Sequence, residues 1–423
     1  MRASVYPLVD ADEAAALVLE RTHVLPAERV ALRDAVGRVL AEDVRAPGEL
    51  PAFPASAVDG YAVRAADAGK TLRVVGESAA GRPFGTAIAP GTAARILTGG
   101  VLPDGADTVV MVEEVQLAGE TVIVPGSLTA GTNFHRPGSD VRAGELVLSS
   151  GAQLGAAELG LAAALGFAEL EVYRRPRVAL MSTGDELVEV GRKPGRGQIV
   201  DSNRWALLAA LHEVGADVRS VGIAPDEADG LREVVVESLL SADVLVTSGG
   251  VSVGTHDLVK PLLESLGTVH VGRVKLKPGK PFTFATIPAS RTRGHSPSPH
   301  GGERRDGADQ LAFGLPGFPV SSLVTFEVFV RPALRKLQGF ASLQRPTLPV
   351  RLAYDARAAG DRTEYQRVRL RREGAELVAE STGSQSSSRL LSLAGAHALV
   401  RIAPGDQGLR AGTIVEAIVL SLP

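Results

Sequence analysis

The sequence predicts a multidomain protein of class α/β plus β. It has a central α/β domain whose parallel sheet is wrapped by helices, a β-rich module ahead of it and a small C-terminal β-barrel or sandwich behind it. Three observations carry this. The chain has 423 residues, and roughly 100–200 residues per domain gives about two to four domains with room for a large core. Between residues 176 and 338 strand-like and helix-like runs alternate at short intervals, the sign of a parallel sheet with crossover helices. On either side, short alternating apolar runs are divided by Gly, Pro and Asp, which reads as antiparallel β-structure.

Taken in order, Asp10 precedes a helical pattern with Ala14, Leu17, Val18 and Arg21 along one stripe. AERVALRDAVGRVLAEDV reads as a second helix, with Val30, Leu32, Val36, Val39 and Leu40 on a comparable face. TLRVVGES, TVIVPGS and ELVLSSG are strand-like, and residues 150–173 return to helix. The expected division is a discontinuous helical and linker domain of residues 1–46 plus 146–175 around a β-rich module at 47–145. Leu154 to Val172 is the most lipid-like stretch, yet it carries Glu158, Glu169 and Glu171, so a packed helix is expected rather than a membrane span.

The α/β domain at 176–338 reads RVALMSTG (strand), SNRWALLAALHEVG (helix), DVRSVGIAPD (strand), DGLREVVVESLLSA (helix), DVLVTSGG (strand), DLVKPLLESLG (helix), QLAFGLPG (strand) and PVSSLVTFEVFVRPALRKL (long helix). Residues 339–423 give strands in PVRLAYDA, YQRVRLRR, HALVRIAPG and TIVEAIVLS, hence the terminal barrel or sandwich. The Gly, Ser, Pro and charge-rich segment at about 290–310 has no apolar period and is expected to be a disordered surface loop between two core strands. A metal site from His295 and His300 would lack a rigid supporting shell.

Composition removes several function classes. With 45% apolar and 22% charged residues the chain reads as globular. The net charge of −3 and the absence of a basic block along any predicted helix disfavour generic nucleic-acid binding. Aromatics are 4%, with Trp205 the single tryptophan, so a base-stacking surface is not expected. The absence of cysteine excludes disulfides, thiolate metal sites, iron–sulfur clusters and a cysteine nucleophile. The first twenty residues show no apolar core of a secretory signal, and a cytoplasmic location without a membrane partner is expected.

Chemistry is expected beyond the carboxyl ends of the parallel strands. Three strands deliver unusual loops there: Ser182-Thr183-Gly184-Asp185-Glu186, Ser248-Gly249-Gly250-Val251-Ser252, and Leu315-Pro316-Gly317-Phe318-Pro319. The glycine loop is either a tight connection or a place where backbone amides approach a bulky anion. Strand alternation puts Lys275 and Lys277 on one face, and Pro278-Gly279 turns the chain before Lys280. These lysines make a solvated turn or neutralise a phosphate or oxyanion. No GxxxxGK[ST] occurs, and no GxGxxG follows a strand, which removes a P-loop and argues against a Rossmann dinucleotide site. Glu186, Asp201 and Asp257 lie at the same edge. Asp201, Ser202 and Asp257 suit helix caps, while carboxylates beside lysines and a phosphate-friendly loop suit Mg²⁺ held between protein and substrate oxygens. The β-rich module adds Ser56-Ala57-Val58-Asp59-Gly60-Tyr61-Ala62 and Ile96-Leu97-Thr98-Gly99-Gly100, of which Asp59-Gly60 alone is a common turn pair.

PAFPASAVDGYAV, ILTGGVLPDGADTVVMVEEV, GSDVRAGELVL, STGDEL, GQIVDSNRWAL, SGGVSVGTHD, KLKPGKPFTFA and LPGFPVSS follow one another in order across nearly the whole chain. Together they resemble the molybdopterin molybdenumtransferases, the family that includes MoeA and the E domain of gephyrin. The resemblance implies a molybdopterin-binding α/β domain in an elongated homodimer of four-domain subunits, with an active site between the α/β domain of one subunit and the β-rich domain of the other. It implies insertion of molybdate into adenylylated molybdopterin with release of AMP in the presence of Mg²⁺. Carried over by motif, Asp59, Thr98, Asp140, Asp201, Lys275, Lys277 and Lys280 are the expected catalytic group. Ser182, Thr183, Gly249, Gly250, Ser252, Pro316 and Pro319 are expected to shape the substrate cleft. Glu186 and Asp257 are the expected metal ligands. A molybdopterin adenylyltransferase and molybdoenzyme acceptors are the expected partners.

One residue departs from the resemblance. The family usually has LPGNPVS, and here Phe318 stands at the asparagine, which removes two donors and an acceptor. Phe318 either stacks on a pterin or adenine ring or fills a gap beside the helix start. Two alternatives accompany the transferase reading: the adenylyltransferase of the preceding step, disfavoured by the β modules, and a non-catalytic scaffold or carrier, favoured if Phe318 blocks the cleft.

Overall fold

The computed structural model describes residues 6–251, 258–292, 308–405 and 407–422. Two compact units emerge: residues 1–29, 37–41 and 171–423 form the larger, and residues 30–36 and 42–170 the smaller.

The larger unit is organised around a six-stranded sheet. Asp217–Ala224, Arg177–Thr183, Val244–Ser248 and Gln310–Leu315 run parallel in that spatial order. Thr283–Ile287 and Thr268–Val271 then extend the sheet antiparallel. Because side chains alternate along a strand, each strand feeds two cores. Val178, Leu180, Val244, Val246, Leu311 and Phe313 join one core with Leu207 and Leu211 of helix Asn203–Glu213. Ala179, Met181, Leu245 and Ala312 join the other, with Leu231 and Val235 of Ala228–Ser241 and Leu263 of Val259–Leu266. The N-terminal helix Ala11–Glu20 buries Ala11, Ala14 and Val18 in the first of these cores.

The expected long helix at 319–337 forms in three pieces, Pro319–Thr325, a π-helical turn Phe326–Val330 and Arg331–Leu337. Pro332 lacks the amide needed for an interior helical hydrogen bond, which accounts for the irregular turn before it.

The C-terminal strands close on themselves. Thr363–Glu373, Glu376–Ser381, Thr347–Leu352, Ile414–Val419 and Ala398–Ile402 pair in a ring around Val350, Leu352, Val368, Leu370, Val400 and Ile402. Closure removes the exposed edges of a small sheet. Val274–Lys277 lies outside the central sheet and pairs in parallel with Thr363–Glu373. The lysine strand is therefore anchored to the barrel, so barrel and α/β domain both contribute to its surroundings.

The smaller unit carries a six-stranded sheet in the order Thr108–Met111, Gly60–Val63, Thr92–Ile96, Thr71–Ser78, Thr121–Ile123, Gln116–Ala118, with Tyr61, Val63, Leu72, Val110 and Val122 in its core.

Three local expectations are corrected. The stretch from Ala27 is a strand, Ala27–Ala31, followed by a single tight turn Leu32–Asp34. Val30 and Leu32 fit a two-residue period as readily as a helical one, and Gly37 takes a positive φ of 74° that ends any helix. Within 150–173 the helix is only Ala156–Ala164, and Glu169–Tyr173 is a strand. Gly166, at φ 85°, stops the helix, and Leu170 and Val172 alternate inward. Glu376–Ser381 is a strand that the sequence reading left unassigned. Among the described residues no helix is long and apolar enough to cross a membrane. His295 and His300, with most of the 290–310 insertion, lie outside the described residues.

Candidate active site

The three strand-end loops meet, and they meet through glycine. Gly249 N–H donates to the Leu315 carbonyl at 3.1 Å. At φ 91°, a Cβ on Gly249 would sit 2.4 Å from the Thr183 carbonyl oxygen. Gly250, at φ 65°, would place its Cβ 2.6 Å from Val259 Cγ2 and 2.7 Å from Thr183 Oγ1. Both positions thus demand glycine for packing as well as conformation. Asn203 ties the same loops, donating from Nδ2 to Ser248 Oγ at 2.8 Å and to the Gly317 carbonyl at 2.7 Å. Behind them the hydroxyls of Ser182, Thr183 and Thr247 are buried with no hydrogen-bond partner among the described residues.

In front lies a cleft of about 680 Å³. It is lined by Glu186, Ile199, Pro316, Gly317 and Phe318, by the turn Lys277-Pro278-Gly279-Lys280, and by Arg362 and Gln385–Ser387. Among the described lining residues, Lys277, Lys280 and Arg362 are cationic and Glu186 is the one carboxylate, a field suited to an anion even with Lys277 partly offset by Glu364. Lys277 is held from behind. Its Nζ lies 3.1 Å from Glu364 Oε1, with the lysine side chain 41% exposed and the glutamate only 3%. The two residues are register partners in the paired strands, so the backbone ladder itself sets them side by side.

The serine wall is fixed from the barrel interior. Gln385 Oε1 accepts from Arg367 N–H at 2.9 Å while its Nε2 donates to the Arg367 carbonyl at 3.1 Å. Arg367 Nη2 donates to the Ser386 carbonyl at 3.2 Å. Burial pushes the Arg367 pKa down to about 10. Val320 N–H, in the first turn of helix Pro319–Thr325, donates to the Ser387 carbonyl at 3.1 Å.

The smaller unit holds a second polar arrangement. Asp59 Oδ1 accepts from Thr98 N–H at 2.7 Å and Thr98 Oγ1 at 2.8 Å. These bonds, backbone first, hold the Asp59 carboxyl below the usual carboxylate range, with Arg95 adding a smaller pull.

Family models match in sequence order along the chain: the MoeA N-terminal region at residues 9–166, a probable molybdopterin binding domain at 179–336, and the MoeA C-terminal region at 349–420. A molybdopterin molybdenumtransferase of Nostoc is 38% identical over 94% of this chain and 89% of its own. The chain belongs to the molybdopterin molybdenumtransferase family. Its place is in molybdenum cofactor biosynthesis, among relatives named as transferase enzymes. The Haemophilus influenzae molybdenumtransferase is 39% identical over 75% of each chain. Gephyrin of Dictyostelium discoideum is 37% identical over 99% of this chain, which spans 63% of that protein's length. A solved MoeA structure from Pyrococcus horikoshii, 30% identical, superimposes with TM-score 0.79 over 98% of this chain and 99% of its own.

On this molybdenumtransferase scaffold the predicted site residues separate into groups. Glu186, Lys277, Lys280 and Pro316 line the cleft. Ser182, Thr183, Gly249, Gly250 and Pro319 are not among its lining residues. Lys275 shares the strand face of Lys277 but pairs with Asp10 at 3.5 Å and does not line the cleft. Asp201 does not line it either: it is 1% exposed and accepts from Arg204 N–H at 3.2 Å and Arg204 Nε at 3.0 Å. That is the helix-capping alternative, strengthened by an ion pair. Asp59, Thr98 and Asp140 belong to the smaller unit and are exposed. Ser252 and Asp257 lie outside the described residues.

Sequence reasoning missed Arg362, Glu364 and Gln385–Ser387. The polar run Thr382 to Ser388 was the one available signal for the serine wall. Nothing local marks Glu364, whose partner is distant along the chain. No group of three metal-ligating side chains occurs among the described residues. Mg²⁺ needs fewer, since it keeps waters and binds by one or two carboxylates plus substrate phosphates, and Glu186 beside a cationic cleft offers such a carboxylate.

Proposed function

We propose that this protein is a molybdenum insertase. It accepts adenylylated molybdopterin and molybdate, lets water cleave the phosphoanhydride to release AMP, and delivers molybdate to the dithiolene. The observation that carries this reading is the cleft that Lys277, Lys280, Arg362 and Glu186 line together. The cations balance the phosphoanhydride and the molybdate oxyanion, and stabilising developing negative charge is the largest contribution such a site makes. Lys277, held by Glu364, meets its anion without a search over rotamers. Glu186, with Asp257, would hold Mg²⁺, whose contribution when bound is neutralisation of charge on the phosphate oxygens. Asp59 and Thr98 serve the same reaction, the enzyme works as a cytoplasmic homodimer, and an adenylyltransferase and molybdoenzymes stand before and after it.

The scaffold alternative is favoured if Phe318 blocks the cleft, which it lines while 60% exposed; ligand binding without turnover would support it. The test is turnover of adenylylated molybdopterin with molybdate and Mg²⁺, following AMP. Wild type should release AMP, and Asp59→Ala and Lys277→Ala should each lower the rate by about 100-fold. Robust activity that neither change reduces would remove this site map. Glu186→Ala should raise the Mg²⁺ concentration needed for half-maximal rate, and an unchanged metal titration refutes its role as ligand.

A further inference from the structure

Phe318 is anomalous in three ways. It occupies the N-cap of helix Pro319–Thr325 with extended backbone, φ −74° and ψ 131°, and makes no side-chain cap. Ser, Thr, Asp and Asn are the residues that satisfy the free amides there, so phenylalanine forgoes a local stabilisation. Its ring is 60% exposed, so it gains little from burial and does not fill a gap beside the helix. Among the described residues no other aromatic ring packs on it. Both sacrifices fall in the lining of the cationic cleft, which also includes Ile199, itself 56% exposed, and Pro316. A residue that gives up folding stability at a ligand-facing position is the signature of a stability–function trade-off.

We propose that Phe318 is a specificity-determining residue, a stacking platform for a planar heteroaromatic ring of the substrate, with Ile199 and Pro316 as its apolar border. The ring is the adenine or the pterin of the adenylylated substrate, a choice that rests on the insertase reading. The anionic part of the same molecule then reaches Lys277 and Lys280 in the same cleft, so the platform selects for the ring while the lysines hold the charge. Ring–aromatic stacking tolerates any flat π-face, which explains how a phenyl group serves where the family's usual asparagine would offer hydrogen bonds.

The experiment compares wild type with Phe318→Asn, Phe318→Leu and Phe318→Trp by calorimetric titration with AMP, with 6-hydroxymethylpterin and with ribose 5-phosphate, alongside thermal unfolding. Phe318→Asn should bind the stacking partner about tenfold to a hundredfold more weakly while its melting temperature stays level or rises, because the cap is restored. Phe318→Trp should keep the affinity, Phe318→Leu should not, and ribose 5-phosphate should be indifferent to all three. Loss with AMP assigns the ring as adenine, and loss with the pterin assigns it as pterin. The proposal is overturned if all three variants bind both ring compounds like wild type, if wild type binds neither, if leucine restores binding fully, or if Phe318→Asn melts lower. AMP release by wild type is followed separately: its failure removes the insertase reading, while a ring affinity that depends on Phe318 would still stand.

Discussion

Lys277 in the larger unit and Asp59 in the smaller are both charged, both expected to face substrate, and both held by a single neighbour, yet they are held in opposite ways. Lys277 is gripped by a carboxylate that is almost fully buried in the barrel wall. Asp59 is gripped at the surface by the amide and hydroxyl of one threonine. In the first case the partner has nowhere else to put its charge. In the second, water can replace either donor. Orientation in the cleft is therefore tied to folding stability, whereas orientation of Asp59 is local and inexpensive to change.

The strongest way to break this comparison is to remove each end of the buried pair in turn. Lys277→Ala leaves Glu364 buried without its ion-pair partner, beside the Arg367 charge. Uncompensated buried charges of this kind are strongly destabilising, and about 3 kcal/mol is expected, read by urea denaturation, besides the loss of activity. Glu364→Gln leaves the exposed lysine free to be solvated. It should unfold near wild type and lose about tenfold in kcat/KM, within the range of neighbour coupling. In a double-mutant cycle Glu364→Gln should be non-additive with Lys277→Ala and additive with Lys280→Ala. Additivity with both would mean that Glu364 does not act through Lys277.

The difference also explains what could be read from the sequence. The parallel core was legible because its inner strands are largely apolar and its helices carry one buried stripe, patterns that survive without coordinates. The cleft was legible where loops follow those strands, as for Glu186 and Pro316, and where the lysine turn announces itself. It was illegible where register decides. Glu364 is one acid in an alternating strand until Val274–Lys277 pairs beside it, a pairing between segments far apart in sequence rather than any local pattern. Asp201 was ambiguous for the opposite reason: a carboxylate before a helix suits a cap and a catalytic site equally, and its burial against Arg204 has no sequence signal. The stretch from Ala27 failed because Val30 and Leu32 satisfy both periods over so short a run.

The surface pair predicts the smallest effect and a distinctive one. The Thr98 bonds favour the ionised form of Asp59, so its pKa lies below the ordinary carboxylate value. If ionised Asp59 is required, the acid limb of the rate profile falls at correspondingly low pH. Thr98→Val removes the hydroxyl bond and keeps the stronger backbone one. The Asp59 pKa then moves up part of the way, and the acid limb of kcat/KM moves up with it while the plateau rate above it is preserved. The linked stability has the same sign: it is present above the unfolded carboxyl pKa and lost as pH falls through the folded one. Because Asp59 is exposed, that term is too weak to move the melting temperature at neutral pH. A pH–rate profile of Thr98→Val that superimposes on wild type would show that the acid limb belongs to another group. A large fall in melting temperature would show that the pair is structural, like its counterpart in the barrel wall.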